Sequence, residues 1–292
     1  MECEKTRGLS DMKQIGFIGA GSIAEAMIKG MLQKKVAKPE HIFVTNHANQ
    51  ARLEQLQRDY NIQICSKAEL GFMIDQIETI VLAFKPKDLV PGLAQLKECN
   101  LEGKCIVSVL AGVPTKLIED ELQVKGLSVI RAMPNTSSAV GESATALTRG
   151  RFVREVDFQH VVEMFQAVGL VEEVQEVQMD AITGLSGSGP AYVYYMIEAL
   201  VEAGIQLGLE KEIAKRLVYQ TVVGAARMLQ EASEEPAELR RQITSPNGTT
   251  MAGISILSNL NFQQSIIEAV WKACERSKEL GEIHQQTVSY ES

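Results

Sequence analysis

The stretch IGFIGAGSIA at residues 15–24 decides the fold of this 292-residue chain. Its apolar start predicts a strand, and the following G-x-G-x-x-A pattern opens a predicted helix at residues 22–32. Gly19 permits a tight turn, Gly21 lets the backbone approach a pyrophosphate, and Ala24 allows close packing of helix on strand. The free N–H groups at a helix N-terminus favour an anion. The stretch therefore predicts a dinucleotide-binding turn; the alternative is a structural turn with no ligand.

Short apolar runs alternate with amphipathic stretches after this turn. Thr79–Phe84 reads TIVLAF, which is apolar throughout, as in a strand buried on both faces. Alternation of this kind is typical of a parallel sheet covered by helices. The predicted fold class is α/β, a Rossmann-type doubly wound, mostly parallel sheet. The other predicted strands are His41–Thr45, Gln63–Cys65, Cys105–Leu110, Ser128–Met133, Ser143–Thr148 and Leu170–Val174.

The pattern becomes helical after Gln178. Pro190–Leu207 carries apolar side chains almost all round, which indicates a buried helix. Helices are also predicted at Lys211–Ala232, over part of Thr250–Leu260, and at Gln263–Leu280, so the second domain is expected to be all-α. The predicted domains are a flexible extension at 1–11, with Met12 a candidate natural start, a dinucleotide-binding domain at 12–178, a helical domain at 179–281 and a flexible tail at 282–292.

The composition is that of a globular protein, with 45% hydrophobic and 23% charged residues and a net charge of −8. No basic half exists to follow a phosphate backbone, and an acidic surface disfavours anionic membranes, so neither nucleic acid nor a membrane is expected as a partner. The 5 cysteines form no C-x-x-C pair and the 4 histidines are scattered, so no metal site is predicted. The odd cysteine count and the polar N-terminus predict a cytoplasmic protein.

The end of the second predicted strand bears on the choice of dinucleotide. Asn46 and His47 stand where an acidic residue for the ribose hydroxyl of NAD is expected, and the nearest carboxylates are Glu40 and Glu54. Asn46 and His47 can donate to a 2′-phosphate, which favours NADP, with NAD as the alternative. A solvated turn without that contact is an equally good interpretation, because histidine is mostly neutral at pH 7.

Three later strand ends carry unusual residues. Phe84 and Lys85 end the fourth strand, Ala111 follows the fifth, and Asn135 follows the sixth. Ligands of open α/β sheets bind at the carboxyl ends of the strands, so these residues are expected to line the cofactor cleft. Lys85 as a plain surface lysine, and Gly112 as a turn former, are the alternatives.

Two compact polar loops mark the helical region. In GLSGSGP (residues 184–190), Ser188 or Gly189 is expected to cap a helix that starts at Pro190. TSPNGTT (residues 244–250) presents backbone N–H groups and hydroxyls at a helix start, which suits a carboxylate; an ordinary helix cap is the alternative. No catalytic triad, carboxylate pair or activated cysteine can be assembled from the spacing. The prediction from the residues is a nicotinamide-dependent oxidoreductase, whose hydride chemistry belongs to the cofactor.

The chain resembles the pyrroline-5-carboxylate reductases. TGLSGSGPAY (Thr183–Tyr192) and TSPNGTT (Thr244–Thr250) look like the two signatures of that family, and the resemblance extends over about residues 12–281. It implies reduction of the C=N bond of Δ1-pyrroline-5-carboxylate to L-proline, the last step of proline biosynthesis. It also implies NADPH, or less often NADH, as hydride donor, and a homodimer with intertwined helical domains. Rings of five dimers, which make a decamer, are common in the family.

The resemblance also implies roles for individual residues. Thr250 would bond the imine nitrogen, as the catalytic residue, and the backbone N–H groups of Gly248, Thr249 and Thr250 would hold the substrate carboxylate. Glu176 would lie beside the substrate or its loop. The remaining residues would hold the cofactor: Ala20, Gly21, Ser22 and Ile23 at the pyrophosphate, and Phe84, Lys85 and Ala111 at the nicotinamide.

Three positions depart from the family pattern, and two other function classes stay open. His47 replaces a usual Arg, Asn247 replaces a usual Gly and therefore requires a left-handed conformation, and Glu234-Glu235 stand where a His is frequent.

One alternative function is that of a regulatory dinucleotide-binding protein. The other is a different imine reductase or a β-hydroxyacid reductase, although the latter needs a catalytic Lys that Pro190–Leu207 lacks.

Overall fold

The computed structural model describes residues 13–291, so the predicted extension at 1–11 and the candidate start at Met12 lie outside the described residues. The chain divides into two compact units. One contains the residues up to Ser188 together with the chain from Lys272 onward, and the other is Gly189–Trp271. The predicted domain boundary at residue 178 stays a prediction.

The first unit is built on an eight-stranded sheet in the order β3-β2-β1-β4-β5-β6-β7-β8. Adjacent strands are parallel except for β7, which runs antiparallel to β6. The order reverses between β1 and β4, which is the ligand-binding switch point of a doubly wound sheet. The predicted fold class is therefore confirmed. The strands are β1 Ile15–Ile18, β2 Ile42–Thr45, β3 Gln63–Cys65, β4 Thr79–Leu82, β5 Cys105–Ser108, β6 Ser128–Met133, β7 Ser143–Arg149 and β8 Gly169–Glu173.

The apolar strands separate two cores, one on each face of the sheet. Ile80 and Val81 are adjacent in β4, yet Ile80 packs in one buried cluster and Val81 in the other. Val129 and Ile130 divide in the same way in β6, because successive side chains of a strand point to opposite faces. Burial on both faces explains why these strands read as continuous apolar runs.

Helices cover both faces of the sheet and make up the second unit. Three short ones were not predicted, namely α3 (Leu70–Gln76), α7 (Met179–Ile182) and α10 (Pro236–Gln242); α10 begins at Pro236, a residue suited to the first helical position. The helices are α1 Ser22–Gln33, α2 Gln50–Tyr60, α3 Leu70–Gln76, α4 Leu89–Lys97, α5 Thr115–Leu122, α6 Glu155–Gln166, α7 Met179–Ile182, α8 Gly189–Gln206, α9 Lys211–Glu231, α10 Pro236–Gln242, α11 Thr249–Asn259 and α12 Phe262–Glu291.

The glycine-rich stretch before α8 is not the expected loop. Thr183–Gly187 forms a π-helical turn that continues directly from α7, and the Ser188 N–H donates to the Thr183 carbonyl at 2.9 Å. The prediction that Ser188 or Gly189 caps a free helix start is therefore wrong, because the backbone N–H groups are already inside a helical run. Such π-turns are rare and occur frequently at functional sites.

The helices of the second unit also correct a prediction about burial. Helix α8 was expected to be buried all round, but it has no buried residue, and Tyr195 is 78% exposed. Helix α12 continues to Glu291, beyond the predicted end at Leu280. Within the described residues, none of the helices is both long and apolar enough to cross a membrane. The apolar pattern of α8 thus describes a surface that this single chain leaves uncovered.

Candidate functional site

The glycine turn lies at the carboxyl ends of β1, β2 and β4. Gly19 donates its N–H to the Thr45 carbonyl at 2.9 Å, and Ala83 donates to the Ile18 carbonyl at 2.9 Å. Gly19 has a φ of +112°. A Cβ atom at this position would lie 2.7 Å from the Phe84 nitrogen and against the Ala83 carbonyl. Both the backbone angle and the close approach therefore require glycine here.

Gly21 precedes the first residue of α1 and has no side chain with which to cap it. A Cβ atom at Gly21 would meet only the Ala83 oxygen, at an ordinary 3.8 Å. Ser22 is exposed and Ile23 half-buried, whereas Ala20 is buried. The first N–H groups of a helix have no partner within it and bind anions well. The open backbone at Gly21 and the uncapped helix fit a pyrophosphate.

Arg52 on α2 forms a hydrogen bond to this turn, a role that was not predicted from the sequence. Its Nε donates to the Ala20 carbonyl at 3.1 Å, and its Nη2 pairs with Glu25 of α1. The hydrogen bond from Arg52 holds the pKa of Glu25 below its ordinary value, and Tyr60 donates a further bond to Glu25 at 3.1 Å. Glu25 is thus a carboxylate near the turn whose charge is already balanced.

The residues expected to select the dinucleotide follow β2. Asn46 is half-buried and His47 exposed, between the strand and α2. The side chain of Asn49 caps α2 by accepting the Arg52 N–H at 3.0 Å. This cap fixes the turn in which Asn46 and His47 stand, at the same sheet edge as the glycine turn.

The ends of β4 and β5 lie at that edge too. The Phe84 ring packs on α4, where a Cβ atom at Gly92 would come within 2.7 Å of its Cζ. Lys85 is exposed and Ala111 half-buried. Gly112 has a φ of +73°. The structure therefore brings Phe84, Lys85 and Ala111 to the carboxyl ends of adjacent strands, as predicted from their positions after the predicted strands.

Asn135, after β6, is buried with its amide engaged. Its Nδ2 donates to the Ser186 carbonyl of the π-turn at 3.0 Å, and its Oδ1 accepts the Ser137 N–H at 3.1 Å. Its own N–H donates to Ser143 Oγ at 3.2 Å. These contacts fasten the π-turn to the end of β6. In this arrangement the Asn135 amide binds protein through its oxygen and through its nitrogen.

Glu176 also has both carboxylate oxygens occupied. Arg131 Nη1 donates to Oε1 at 2.6 Å, and the Thr115 hydroxyl donates to Oε2 at 2.8 Å. The Arg131 side chain is only 3% exposed, and Asp180 lies 3.8 Å from its Nη2. The structure places Glu176 in an ionic network among β6, α5 and α7.

The polar loop of the second unit ends at the start of α11. Asn247 has a φ of +56°, which confirms the predicted left-handed conformation. Gly248 precedes the helix, and a Cβ atom there would collide with Ser245 Oγ. Thr249 is exposed and Thr250 half-buried at the first helical positions. This gives α11 an accessible N-terminus with two hydroxyls beside it.

Other kinds of reactive centre do not stand out among the described residues. No group of three His, Cys, Asp or Glu side chains that could hold a metal ion occurs in the described part of the chain. Burial, with a smaller effect of Asp157, raises the pKa of Cys105 to about 12, so this thiol is inert.

The predicted site residues are divided between the two units. The second unit contains Gly248–Thr250, and the first contains Gly19–Ile23, Asn46, His47, Phe84, Lys85, Ala111, Asn135 and Glu176.

The doubly wound sheet and its glycine turn define a dinucleotide-dependent oxidoreductase. Two family models agree with this class. Residues 14–112 match the family described as NADP oxidoreductase coenzyme F420-dependent, and residues 176–280 match pyrroline-5-carboxylate reductase dimerisation. A Bacillus subtilis protein named pyrroline-5-carboxylate reductase 2 is 41% identical over 271 residues, which is 93% of this chain and 96% of that protein. The chain belongs to the pyrroline-5-carboxylate reductase family.

Solved structures are similar over the same length. A pyrroline-5-carboxylate reductase from Coxiella burnetii superposes with a TM-score of 0.84 at 36% identity, covering 92% of this chain and 99% of that one. The Plasmodium falciparum pyrroline carboxylate reductase with NADP bound superposes with a TM-score of 0.83 at 30% identity, covering 92% and 98%. With the matching family model, these likenesses show that the chain uses NAD(P).

Proposed function

We propose that this chain reduces the C=N bond of Δ1-pyrroline-5-carboxylate to L-proline, the last step of proline biosynthesis. The observation that carries the proposal is the 41% identity to a named reductase over 93% of the chain. NAD(P)H supplies the hydride when it is bound. The imine carbon gains that hydride, the nitrogen gains a proton, and NAD(P)⁺ and L-proline are the products. The chain's own residues have to bind, orient and stabilise the reacting groups.

The dinucleotide is held at the carboxyl edge of the sheet. We assign the pyrophosphate to the turn formed by Gly19, Ala20, Gly21, Ser22 and Ile23, where the start of α1 offers unpaired N–H groups. Phe84, Lys85 and Ala111 line the nicotinamide side. Asn135 contributes to the same site by fastening the π-turn to the end of β6. Positioning of donor and acceptor supplies much of the rate in a transfer of this kind.

The substrate carboxylate is held at the start of α11. The backbone N–H groups of Gly248, Thr249 and Thr250 lie at the positive end of the helix dipole, which favours an anion. The Thr250 hydroxyl donates to the imine or amine nitrogen, where electron density develops during the reaction. The family resemblance implies that Glu176 lies beside the substrate or its loop, and its contacts with Arg131 and Thr115 bear on how it acts.

NADPH is the preferred dinucleotide in this proposal, with NADH as a weaker alternative. Asn46 and His47 follow β2 at the position where NAD enzymes carry a carboxylate. Glu25, a carboxylate on the helix that follows the turn, is balanced by Arg52, so it offers little repulsion to a 2′-phosphate. The ratio of kcat/KM values for NADPH and NADH tests the preference.

The enzyme is a homo-oligomer that acts on a small molecule, and the proposed assembly is a dimer with intertwined helical domains. The dimerisation model matches residues 176–280. Large apolar side chains of that segment are exposed in the single chain, among them Tyr195 at 78% and Trp271 at 70%. A second copy would cover them. Five such dimers in a decamer, and a cytoplasmic location, complete the proposal.

The test is oxidation of NADPH and NADH, followed at 340 nm with Δ1-pyrroline-5-carboxylate as substrate. Turnover with stoichiometric formation of L-proline is expected. If the purified chain binds NADPH but gives no turnover, the reductase assignment is wrong and a regulatory dinucleotide-binding protein becomes the better interpretation. Turnover only with other cyclic imines would instead correct the substrate.

A further inference from the structure

The start of helix α5 is capped from a distant part of the chain. Its N-cap position is Pro114, which offers no side-chain acceptor for the first N–H groups. Glu176 takes that role: its Oε2 accepts the Thr115 N–H at 3.2 Å and the Thr115 hydroxyl at 2.8 Å. The carboxylate also suits the positive end of the α5 dipole. One oxygen of Glu176 thus fixes the residue at which α5 begins.

The other oxygen of Glu176 fixes the carboxylate itself. Oε1 accepts from Arg131 Nη1 at 2.6 Å, and Arg131 is held inside β6 with 3% of its side chain exposed. A buried guanidinium without a carboxylate partner would be costly, so the pair keeps both groups in place. Because Arg131 and Thr115 bond to its two oxygens, Glu176 connects β6 to the start of α5.

The loop between β5 and α5, Ala111–Pro114, is held on its other side by α12. A Cβ atom at Gly112 would lie 3.2 Å from the Gly281 nitrogen and 3.3 Å from the Ser277 carbonyl, so the two backbones are in close contact. Ser277 in turn donates from its hydroxyl to Asp180 at 2.7 Å. The loop is therefore fixed at Gly112 by packing and at Thr115 by hydrogen bonds.

We propose that Glu176 is a positioning residue, which acts through Thr115 to hold the loop Ala111–Pro114 where it receives the nicotinamide half of the dinucleotide. It is not a ligand of the substrate carboxylate or imine. The inference rests on the proposed function for the placement of the nicotinamide at Ala111. The adenine half is held separately, at the glycine turn and the end of β2. A displaced loop should therefore weaken one half of the dinucleotide site and leave the other intact.

Thr115 offers a milder test than Glu176, whose removal would leave the buried Arg131 with Asp180, 3.8 Å from its Nη2, as its carboxylate partner. Thr115→Val removes the hydroxyl but keeps the shape of the side chain. Thr115→Ser keeps the hydroxyl and removes the methyl group. Lys116→Ala is the matched control, since Lys116 is 74% exposed and pairs with Asp120 of the same helix. Calorimetric titration of the full chain with NADPH and with adenosine 2′,5′-bisphosphate measures the whole dinucleotide and its adenine half apart from any turnover.

The Thr115→Val chain should bind NADPH roughly tenfold more weakly, the size expected for a hydrogen bond to a charged acceptor. Its affinity for adenosine 2′,5′-bisphosphate should match that of the original chain. The Thr115→Ser chain should bind NADPH as the original chain does. Equal loss for both ligands would indicate a general structural role and overturn the proposal. Unchanged NADPH affinity with a raised KM for the imine would make Glu176 a substrate residue, which also overturns it. Absence of turnover by the original chain would bear only on the proposed reaction.

Discussion

Arg52 Nε donates a hydrogen bond to the carbonyl oxygen of Ala20 across 3.1 Å, and so connects helix α2 to the glycine turn. The two residues are 32 positions apart. The same guanidinium pairs with Glu25 on α1 through Nη2. A single side chain thus fixes both the carbonyl inside the turn and the helix that follows it.

Replacement of Arg52 by Met should therefore weaken dinucleotide binding without unfolding the chain. We expect the Kd for NADPH to rise about fivefold to tenfold, because the turn loses one charge-assisted hydrogen bond. Fluorescence titration of NADPH measures it. Arg58→Met, an exposed arginine of the same helix, is the control and should bind normally. Equal affinities of the Arg52 variant and the original chain would contradict the support role.

Replacement of Gly19 by Ala should lower stability, whereas replacement of Gly21 by Ala should lower NADPH affinity. At Gly19 the φ of +112° and the nearby Ala83 carbonyl make a Cβ atom strained, so the free energy of unfolding should fall by about 1–3 kcal/mol. At Gly21 a Cβ atom fits the protein, but it occupies the approach to the pyrophosphate. Gly21→Ala should keep its stability and lose NADPH affinity. Urea unfolding and NADPH titration of both variants separate the two effects; a destabilised Gly21→Ala chain would argue against this division.

Thr250→Ala should lower kcat by about a hundredfold, the size seen when one donor to a developing charge is removed. The Kd for NADPH should stay the same, since Thr250 belongs to the second unit and the glycine turn to the first. Ser255→Ala on the same helix removes a hydroxyl that donates only to the Met251 carbonyl at 2.8 Å, and it is the control. Steady-state kinetics that show equal kcat for the original chain and the Thr250 variant would exclude the assigned role.

Asp157 should make the stability depend on pH in the acid range. Burial alone would raise the pKa of Asp157, but hydrogen bonds from Arg154, Lys13 and Ser128 lower it below the ordinary 3.8. Its contribution is therefore present above that value and is lost as the pH falls through the lower pKa of the folded state. Asp157→Asn should cost about 2 kcal/mol at pH 7 and progressively less below pH ~4.

Urea unfolding of the Asp157→Asn chain from pH 7 down to pH 2.5 measures this dependence. Asp59→Asn, at an exposed position of α2, is the control and should follow the original chain at every pH. A stability difference for Asp157→Asn that is independent of pH would show that shape, rather than charge, is responsible.

The central strands of the sheet were predictable because they are buried on both faces. Every residue of Thr79–Leu82 is buried and Thr79 is its one polar residue, while Gly19 marks the turn by its conformation. The strand ends at Phe84 and Ala111 followed from the topology alone. The bounds of β1, β3 and β6 are as predicted, and the others differ by one or two residues. In β4 and β5 the last apolar residues of the run belong to the following turn.

Other features depend on contacts that no local pattern records. The bond from Thr115 to Glu176 joins residues 61 apart, and that from Asn135 to Ser186 joins residues 51 apart. The three glycines of GLSGSGP suggested a loop, yet the backbone forms a π-turn. The exposure of α8 could not be predicted either, because the apolar period of a helix is the same whether its own chain or another copy covers it.

The two outer strands of the sheet are poorly suited to pairing with the sheet of another copy of this chain. An open strand edge is a template for a strand of another molecule, and long apolar edges lead to aggregation. Here β3 has only 3 residues, and β8 ends in the exposed pair Glu172 and Glu173. One edge is short, and the other carries charged side chains, of which Glu173 is paired with Arg149. Self-association through the edges of the sheet is thereby disfavoured.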